Sequence, residues 1–482
     1  MDVAASGVGG ARSTADARET ERREGALLLD ATEGAKDREI GVSLETPPKI
    51  RELQRKLGEK AKQEPDFRFY LLYDKVYRED MLRHAYALCR ANDGAPGVDD
   101  VTFKDIEAAG LSEWLDRLGK DLREKTYKPD AVRRVLIPKA GGGERPLGIP
   151  TIRDRVVQTA AVLILEPIFE VDFVDSAYGY RPKRSAQQAV ASVHESLTKG
   201  YTDIVDADLS KYFDTIPHHE LMQSVARRVV DRHMLALIKS WLKVPVSERD
   251  DEGRTRITGG KNSTRGTPQG GVISPLLANI YMHRFLRAWE TRGMGAKFRA
   301  RIVNYADDFV ILSRGNAAEA LAWTRRVMTA IGLTLNETKT RLCNARTEHF
   351  DFLGYTFGPE HYPKTGSWYL AAKPSKKSVQ RAKDRIGLLL QRGDPRPWEE
   401  IRGPLNRFIR GWAGYFNYGT RSRVQSAVNQ YVETRVRNFL RRRHKVAGRA
   451  IRRFSRQVIF DELGVLRLTS KLGVSRPARA FT

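Results

Sequence analysis

Cysteine is almost missing from this sequence: Cys89 and Cys343 are the only two in 482 residues. Two thiols can build neither a disulfide scaffold nor a cysteine-rich zinc module, so both classes are excluded. Long apolar runs are missing too. None approaches the roughly 20 residues that span a bilayer, so no membrane partner is expected. The opening segment "MDVAASGVGGARSTADARETERRE" lacks the apolar core of a secretory signal. Acid is in short supply, with 59 Asp plus Glu against 84 Lys plus Arg and a net charge of +25. An excess of that size marks a protein that meets a polyanion, and nucleic acid is the usual one. The absences leave a cytosolic, nucleoid-associated chain of two to four domains.

Aromatics are scarce in residues 1–45, which read as a disordered arm rich in Ala, Gly, Ser, Thr and charge. Beyond it, helical and strand-like stretches interleave up to about residue 360. "RRVLIPKAGGGERPLGIPT" reads as two strands around a glycine-rich loop, and "DRVVQTAAVLILEPIFE" as a helix. "YTDIVDADLSKYFDTI" reads as strand and "HHELMQSVARRVVDRHMLALIKSWL" as helix. Residues 361–445 change character. Three amphipathic helices follow one another there, carrying Val379, Ala382, Ile386 and Leu389, then Leu405, Phe408, Ile409, Trp412, Tyr415 and Phe416, then Val424, Val428, Tyr431, Arg435 and Phe439. The class is α+β, closing in a small helical bundle, with a basic tail over 446–482 that could be a remnant of a DNA-binding segment.

Chemistry concentrates at "RIVNYADDFVILS". Asp307 and Asp308 sit between two apolar, β-branched runs, the pattern of a hairpin. Two adjacent carboxylates flanked by core are unfavourable unless a cation stands between them. Taken alone they could be a solvated turn, since Asp forms turns well. A second acid run, "TDIVDADLSKYFDTI", offers Asp208 at a strand end, while Asp206 and Asp214 read as exposed strand-end acids. If Asp208 abuts the Asp307–Asp308 turn, three carboxylates converge. Hard oxygen donors suit magnesium, and phosphoryl transfer commonly uses two such ions.

"YADD" between apolar strands resembles the signature of reverse transcriptases, and "DADLSKYFD" their other catalytic-aspartate block. "RGTPQGGVISPLLANIYM" resembles the block that precedes the hairpin. "ANDGAPGVDDVTF", "SAYGYRPKRSAQQAV", "GLTLNETKTRL", "FDFLGYTF" and "RFIRGWAGYFNYG" are similar to flanking blocks of one subgroup, the group II intron-encoded reverse transcriptase/maturase family. The resemblance covers roughly residues 65–445. It implies a right-hand polymerase, with fingers and a palm of antiparallel strands over 46–360 and a helical thumb, or maturase X, domain over 361–445.

The resemblance also implies roles. Asp208, Asp307 and Asp308 would hold two Mg2+ ions, with Mn2+ as a substitute and the Leu209 carbonyl as an extra ligand. Lys139 and Arg145 would grip the dNTP triphosphate; otherwise they are solvated basic residues. Phe213 would exclude a ribose 2′-hydroxyl, or simply pack in the core. Gln269 would hydrogen-bond near the incoming nucleotide, and Tyr305 would lie beneath the primer end. Arg181 and Lys339 would touch nucleic acid or triphosphate, or serve as salt-bridge partners. From Arg435 to Arg456 the chain carries ten Lys or Arg residues and no acid. Arg441, Arg442, Arg443 and Lys445 in that run would meet RNA backbone, or form a solvated face.

The implied partners are a group II intron RNA, an RNA template with a DNA primer, target DNA and dNTPs. The family's cysteine- and histidine-paired endonuclease module has no counterpart after Arg456, so second-strand cleavage is not expected of this chain. Rival readings are a reverse transcriptase domesticated for defence or repair, an RNA-dependent RNA polymerase, and a splicing cofactor whose polymerase site is idle.

Overall fold

The computed structural model describes residues 44–138, 144–249, 254–362 and 365–469. Nearly all of the expected N-terminal arm lies outside the described residues. Among those described, the strands in chain order are β1 (Val132–Pro138), β2 (Glu144–Ile149), β3 (Asp203–Asp208), β4 (Pro245–Arg249), β5 (Thr255–Gly259), β6 (Ala300–Tyr305), β7 (Asp308–Ser313), β8 (Arg341–Asn344), β9 (Phe350–Phe352), β10 (Tyr355–Tyr362) and β11 (Ser367–Pro374). They form three sheets, ordered β2-β1-β4-β5, β6-β7-β3-β8 and β11-β10-β9. The chain divides into two compact units.

One unit comprises the chain up to Val174, Lys211–Phe285 and Ile331–Leu333. Its spine is the Ile152–Glu170 helix, capped by the Thr151 hydroxyl, which accepts from the Asp154 amide. The spine is apolar on nearly every side, as a central helix must be. The β1–β2 hairpin forms as read, antiparallel from Arg133↔Ile149 to Pro138↔Glu144. β4 joins β1 in parallel and β5 joins β4 antiparallel. The stretch read as one helix from His218 is two helices, His218–Ala226 and Arg232–Leu242. Asp231 causes the break. One of its carboxylate oxygens caps the second helix at His233 and Met234, while the other accepts from the Leu72 and Tyr73 amides at 2.8 Å each.

The other unit comprises Asp175–Ser210, Leu286–Ala330 and the chain from Thr334. Its central sheet is antiparallel throughout, and β7 buries Phe309 to Ser313 between β6 and β3. The Ala186–Thr198 helix and the β9–β11 sheet share one core with it through Val190, Val193, Val310, Phe350, Tyr355 and Phe357. A second core lies among the helices Lys376–Leu389, Trp398–Tyr415 and Ser422–Arg443. On the last of these, the buried stripe is Gln425, Val428, Asn429, Val432, Val436, Phe439 and Leu440, so Tyr431 and Arg435 are not its centre. The stripe includes amides because Asn429 donates to the Leu468 carbonyl at 2.8 Å and accepts its N–H at 2.9 Å. The bounds drawn at 360 and 445 fall inside packed structure. Pairing of β10 with β11 runs from Tyr355 to Pro374, and Phe454, Ile459, Phe460, Val465 and Leu468 belong to the helical core.

Candidate active site

The carboxylates lie at one end of the β6-β7-β3-β8 sheet. Along β3, Ile204, Val205 and Ala207 are buried, whereas Asp206 and Asp208 keep partial access to solvent. Antiparallel register sets Asp208 directly opposite Asp308, and Tyr305 opposite Asp308 on the other side. Asp307 occupies the turn between β6 and β7. Asp208 thus meets the adjacent pair Asp307 and Asp308, remote from it in sequence, at one strand end.

The electrostatics follow from that crowding. Asp308 touches solvent but sits in dense protein surroundings. Desolvation, then repulsion from Asp307, Asp208 and Asp206, pushes its carboxyl up to about 7, and Lys339 opposes the rise. Lys339 Nζ lies 3.0 Å from Asp208 Oδ2, and Asn336 Nδ2 donates to the same oxygen at 3.2 Å. Asp206 differs from the exposed acid read from the sequence. It is partly buried, desolvation raises its pKa, and Arg341, its cross-strand partner on β8, pairs with it at 3.2 Å. Asp214 is exposed as read, but it lies on the Tyr212–Thr215 helical turn and not at a strand end, and desolvation raises its pKa. Among the described residues, no three His, Cys, Asp or Glu groups stand as a ready metal cage. The donor set nevertheless suits a hard cation. It is all oxygen and rich in negative charge, and Lys339 pairs with Asp208.

The remaining residues expected in this unit scatter. Tyr305 is half-buried against the sheet core, and burial raises its hydroxyl pKa. Arg181 is buried and donates from Nη1 to the Ala177 carbonyl at 2.8 Å, bracing its own loop. Leu209 buries its side chain. Arg441 and Arg443 donate to the Gly448 and Arg396 carbonyls at 3.0 and 2.6 Å, so both tie loops down, while Arg442 and Lys445 stay exposed.

The residues expected to hold nucleotide lie in the other unit. Arg145 Nε on β2 donates to Gln269 Oε1 at 3.0 Å, and Gln269 Nε2 reaches Asp214 Oδ2 at 3.5 Å. Gly270 has φ +106°, and a Cβ there would stand 2.5 Å from the Gly148 carbonyl oxygen, so only glycine lets this loop lie against β2. Thr267 N donates to the Phe213 carbonyl at 2.7 Å, which joins Phe213 to the same loop. Phe213 is buried, but on the helical turn Tyr212–Thr215 rather than a strand. Lys211, at φ +47°, is the left-handed residue from which that turn starts. Lys139 lies outside the described residues.

Two family models match parts of the chain. The model of "Reverse transcriptase (RNA-dependent DNA polymerase)" matches residues 137–357, and that of "Group II intron, maturase-specific domain" matches residues 379–457. The chain is 35% identical to Protein YkfC of Escherichia coli over 343 residues, 64% of this chain and 87% of that one. It is 35% identical to the group II intron-encoded protein LtrA of Lactococcus lactis over 232 residues, 47% of this chain and 36% of that one. A solved telomerase from Candida albicans, in complex with a telomeric RNA fragment, is similar at 14% identity. It covers 74% of this chain and 70% of that one, with a TM-score of 0.39. Among the described residues, no helix is long and apolar enough to cross a membrane.

Proposed function

Since the chain belongs to the group II intron-encoded reverse transcriptase/maturase family, a family of RNA-directed DNA polymerases, we propose that it copies its own intron RNA into DNA and helps that RNA fold for splicing. Copying at a target DNA would make the intron mobile. The observation that carries the reading is the register that faces Asp208 with Asp308 beside the Asp307 turn.

Asp208, Asp307 and Asp308, with the Leu209 carbonyl, would hold magnesium, or manganese in its place. When bound, such ions would supply positive charge to the triphosphate and to the primer 3′-hydroxyl. The protein's own groups do the rest. Lys339 shields Asp208 in the free chain and gives the carboxylate up readily, because its side chain is 66% exposed and such pairs are weak. Arg145, with Lys139, grips the triphosphate, while Gln269, oriented by Arg145, hydrogen-bonds the nucleotide. Phe213 bars a 2′-hydroxyl and so favours dNTPs, and Tyr305 supports the primer end. Arg442 and Lys445, exposed at the end of the last long helix, contact RNA phosphates.

The test is primer extension on an RNA template alongside binding to intron RNA. Asp307→Ala and Asp208→Ala each abolish cDNA synthesis and leave RNA affinity within about threefold. Extension that survives both changes sinks the reading.

A further inference from the structure

The turn between β6 and β7 is strained where it carries the acids. Ala306 sits at φ +59°, in the left-handed region that residues with a Cβ seldom enter. Such a conformation is strained and persists only where the surroundings over-determine it. Here two surroundings do so, and neither was singled out from the sequence.

The first is Asn304, which is 2% exposed. Its Nδ2 donates to the Ala306 carbonyl at 2.9 Å and to the Asp308 carbonyl at 3.3 Å, spanning the turn from inside. The second is the loop from Ser176 to Tyr180. Asn304 N donates to the Ser176 carbonyl at 2.8 Å, and Tyr178 N donates to the Asn304 carbonyl at 2.9 Å, a short parallel bridge along β6. That bridge presses Gly179 onto the turn. A Cβ on Gly179 would lie 2.4 Å from Ala306 N, 3.0 Å from the Tyr305 carbonyl carbon and 3.2 Å from Ala306 Cα. All three are backbone atoms, so a side chain at 179 forces the turn itself to move. Arg181 closes the loop from behind through the Ala177 carbonyl.

We propose that Gly179 and Asn304 are positioning residues for Asp307 and Asp308, holding the acid-bearing turn in its left-handed shape against the Ser176–Tyr180 loop. The proposal rests on the reading of the carboxylate trio given above. Relieving the 2.4 Å contact requires a shift of several tenths of an ångström to about 1 Å. Misplacement on that scale can cost a reaction about a hundredfold.

The experiment is steady-state primer extension by the full chain, normalised by active-site titration, with magnesium varied. Gly179→Ala and Asn304→Ala lower kcat per active site at least tenfold and raise the magnesium concentration for half-maximal rate. The KM for dNTP and the affinity for template–primer stay within threefold. Asn304→Asp, which puts an acceptor where two carbonyls need a donor, falls at least as far as Asn304→Ala. A purely structural role would lower the yield of active sites and leave these constants unchanged. Retention of kcat within twofold in both Gly179→Ala and Asn304→Ala overturns the proposal. Should Gly179→Ala fail to fold, Asn304→Ala decides alone, since it removes atoms and introduces no clash. Asp308→Ala, run in parallel, separates the two ideas: if that variant still extends primers, the trio reading has failed rather than the geometry of the turn.

Discussion

Two carboxylates in this protein are pushed to a similarly high pKa by different surroundings. Asp308 rises to about 7 through desolvation and three neighbouring acids. Asp154, on the central helix of the other unit, rises to about 6 mainly through desolvation. Asp154 is 1% exposed, and its two oxygens accept from the Tyr127 hydroxyl at 2.6 Å and the Asp130 amide at 3.0 Å. Trp241 Nε1 donates in turn to the Tyr127 hydroxyl. One site is open and crowded with like charge, and the other is closed and filled with neutral donors. A raised pKa is therefore no mark of a reaction centre by itself. What distinguishes Asp308 is the cluster of like charges around it, Asp307, Asp208 and Asp206, which the shell of Asp154 lacks.

The largest expected effect breaks the pair apart. Asp308→Asn removes a repelled charge, so it costs the fold little or stabilises it, yet primer extension falls at least about a hundredfold, the scale for losing one preorganised charge. Asp154→Ala does the reverse. It strands the Tyr127 hydroxyl and the Asp130 amide in the interior, at about 1–3 kcal/mol for each buried group left unpaired, while the turnover of each folded molecule holds. Denaturant melts and titrated activity, measured on both variants, read the contrast directly. If both variants lose mainly stability, the two sites are alike after all and the comparison fails.

A smaller effect follows from pH. The Asp154 carboxyl binds its proton more tightly in the folded chain than in the unfolded one, where the ordinary value is 3.8. Between about 4 and 6 the folded state therefore holds more protons, so this group favours folding at the acid end, and its contribution is lost as pH rises through 6. Asp154→Asn carries no such proton. The stability difference between wild type and Asp154→Asn should drift across that window by up to about 1.4 kcal/mol per pH unit and level off above it. A difference that stays flat from pH 4 to 7 contradicts the assignment of the shift to Asp154.

The open site was the more legible of the two. Apolar, β-branched runs marked β3, β6 and β7 directly, and the acids stood out because they interrupt those runs. The register that faces Asp208 with Asp308 was not legible, because β7 is buried on both faces and no one-sided alternation fixes its pairing. Phe213 was misplaced by one element of structure, because the left-handed Lys211 that opens the helical turn after β3 carries no sequence signal of its own. β4 and β5 went unread: "PVSER" and "TRITG" lack a clean apolar alternation, and neighbouring strands define them instead. Asp154, Asp231 and Asn429 were invisible for a shared reason. Apart from the cap that Asp231 makes on His233 and Met234, the partners named here lie 24 to 159 residues away, and no local pattern announces a buried polar side chain whose mate is remote.

Asn429 extends the closed arrangement to the helical region and supplies the smallest effect. Its amide pairs with both backbone groups of Leu468, and Asn406 does the same for the Gly464 carbonyl and the Leu466 amide. Two side chains on two helices thus bind residues 464–468 much as a neighbouring strand would, with Val465 and Leu468 buried beneath. Asn429→Ala leaves the Leu468 N–H and carbonyl without that partner, at about 1–3 kcal/mol. The loss should appear as early exchange of the Leu468 amide and faster proteolysis after residue 462, with primer extension unchanged. Strong protection of Leu468 in Asn429→Ala would mean that the apolar contacts of Val465 and Leu468 hold the segment alone. The amide pairing would then resemble the ion pair on Asp208, a contact the fold can spare, rather than the closed shell around Asp154.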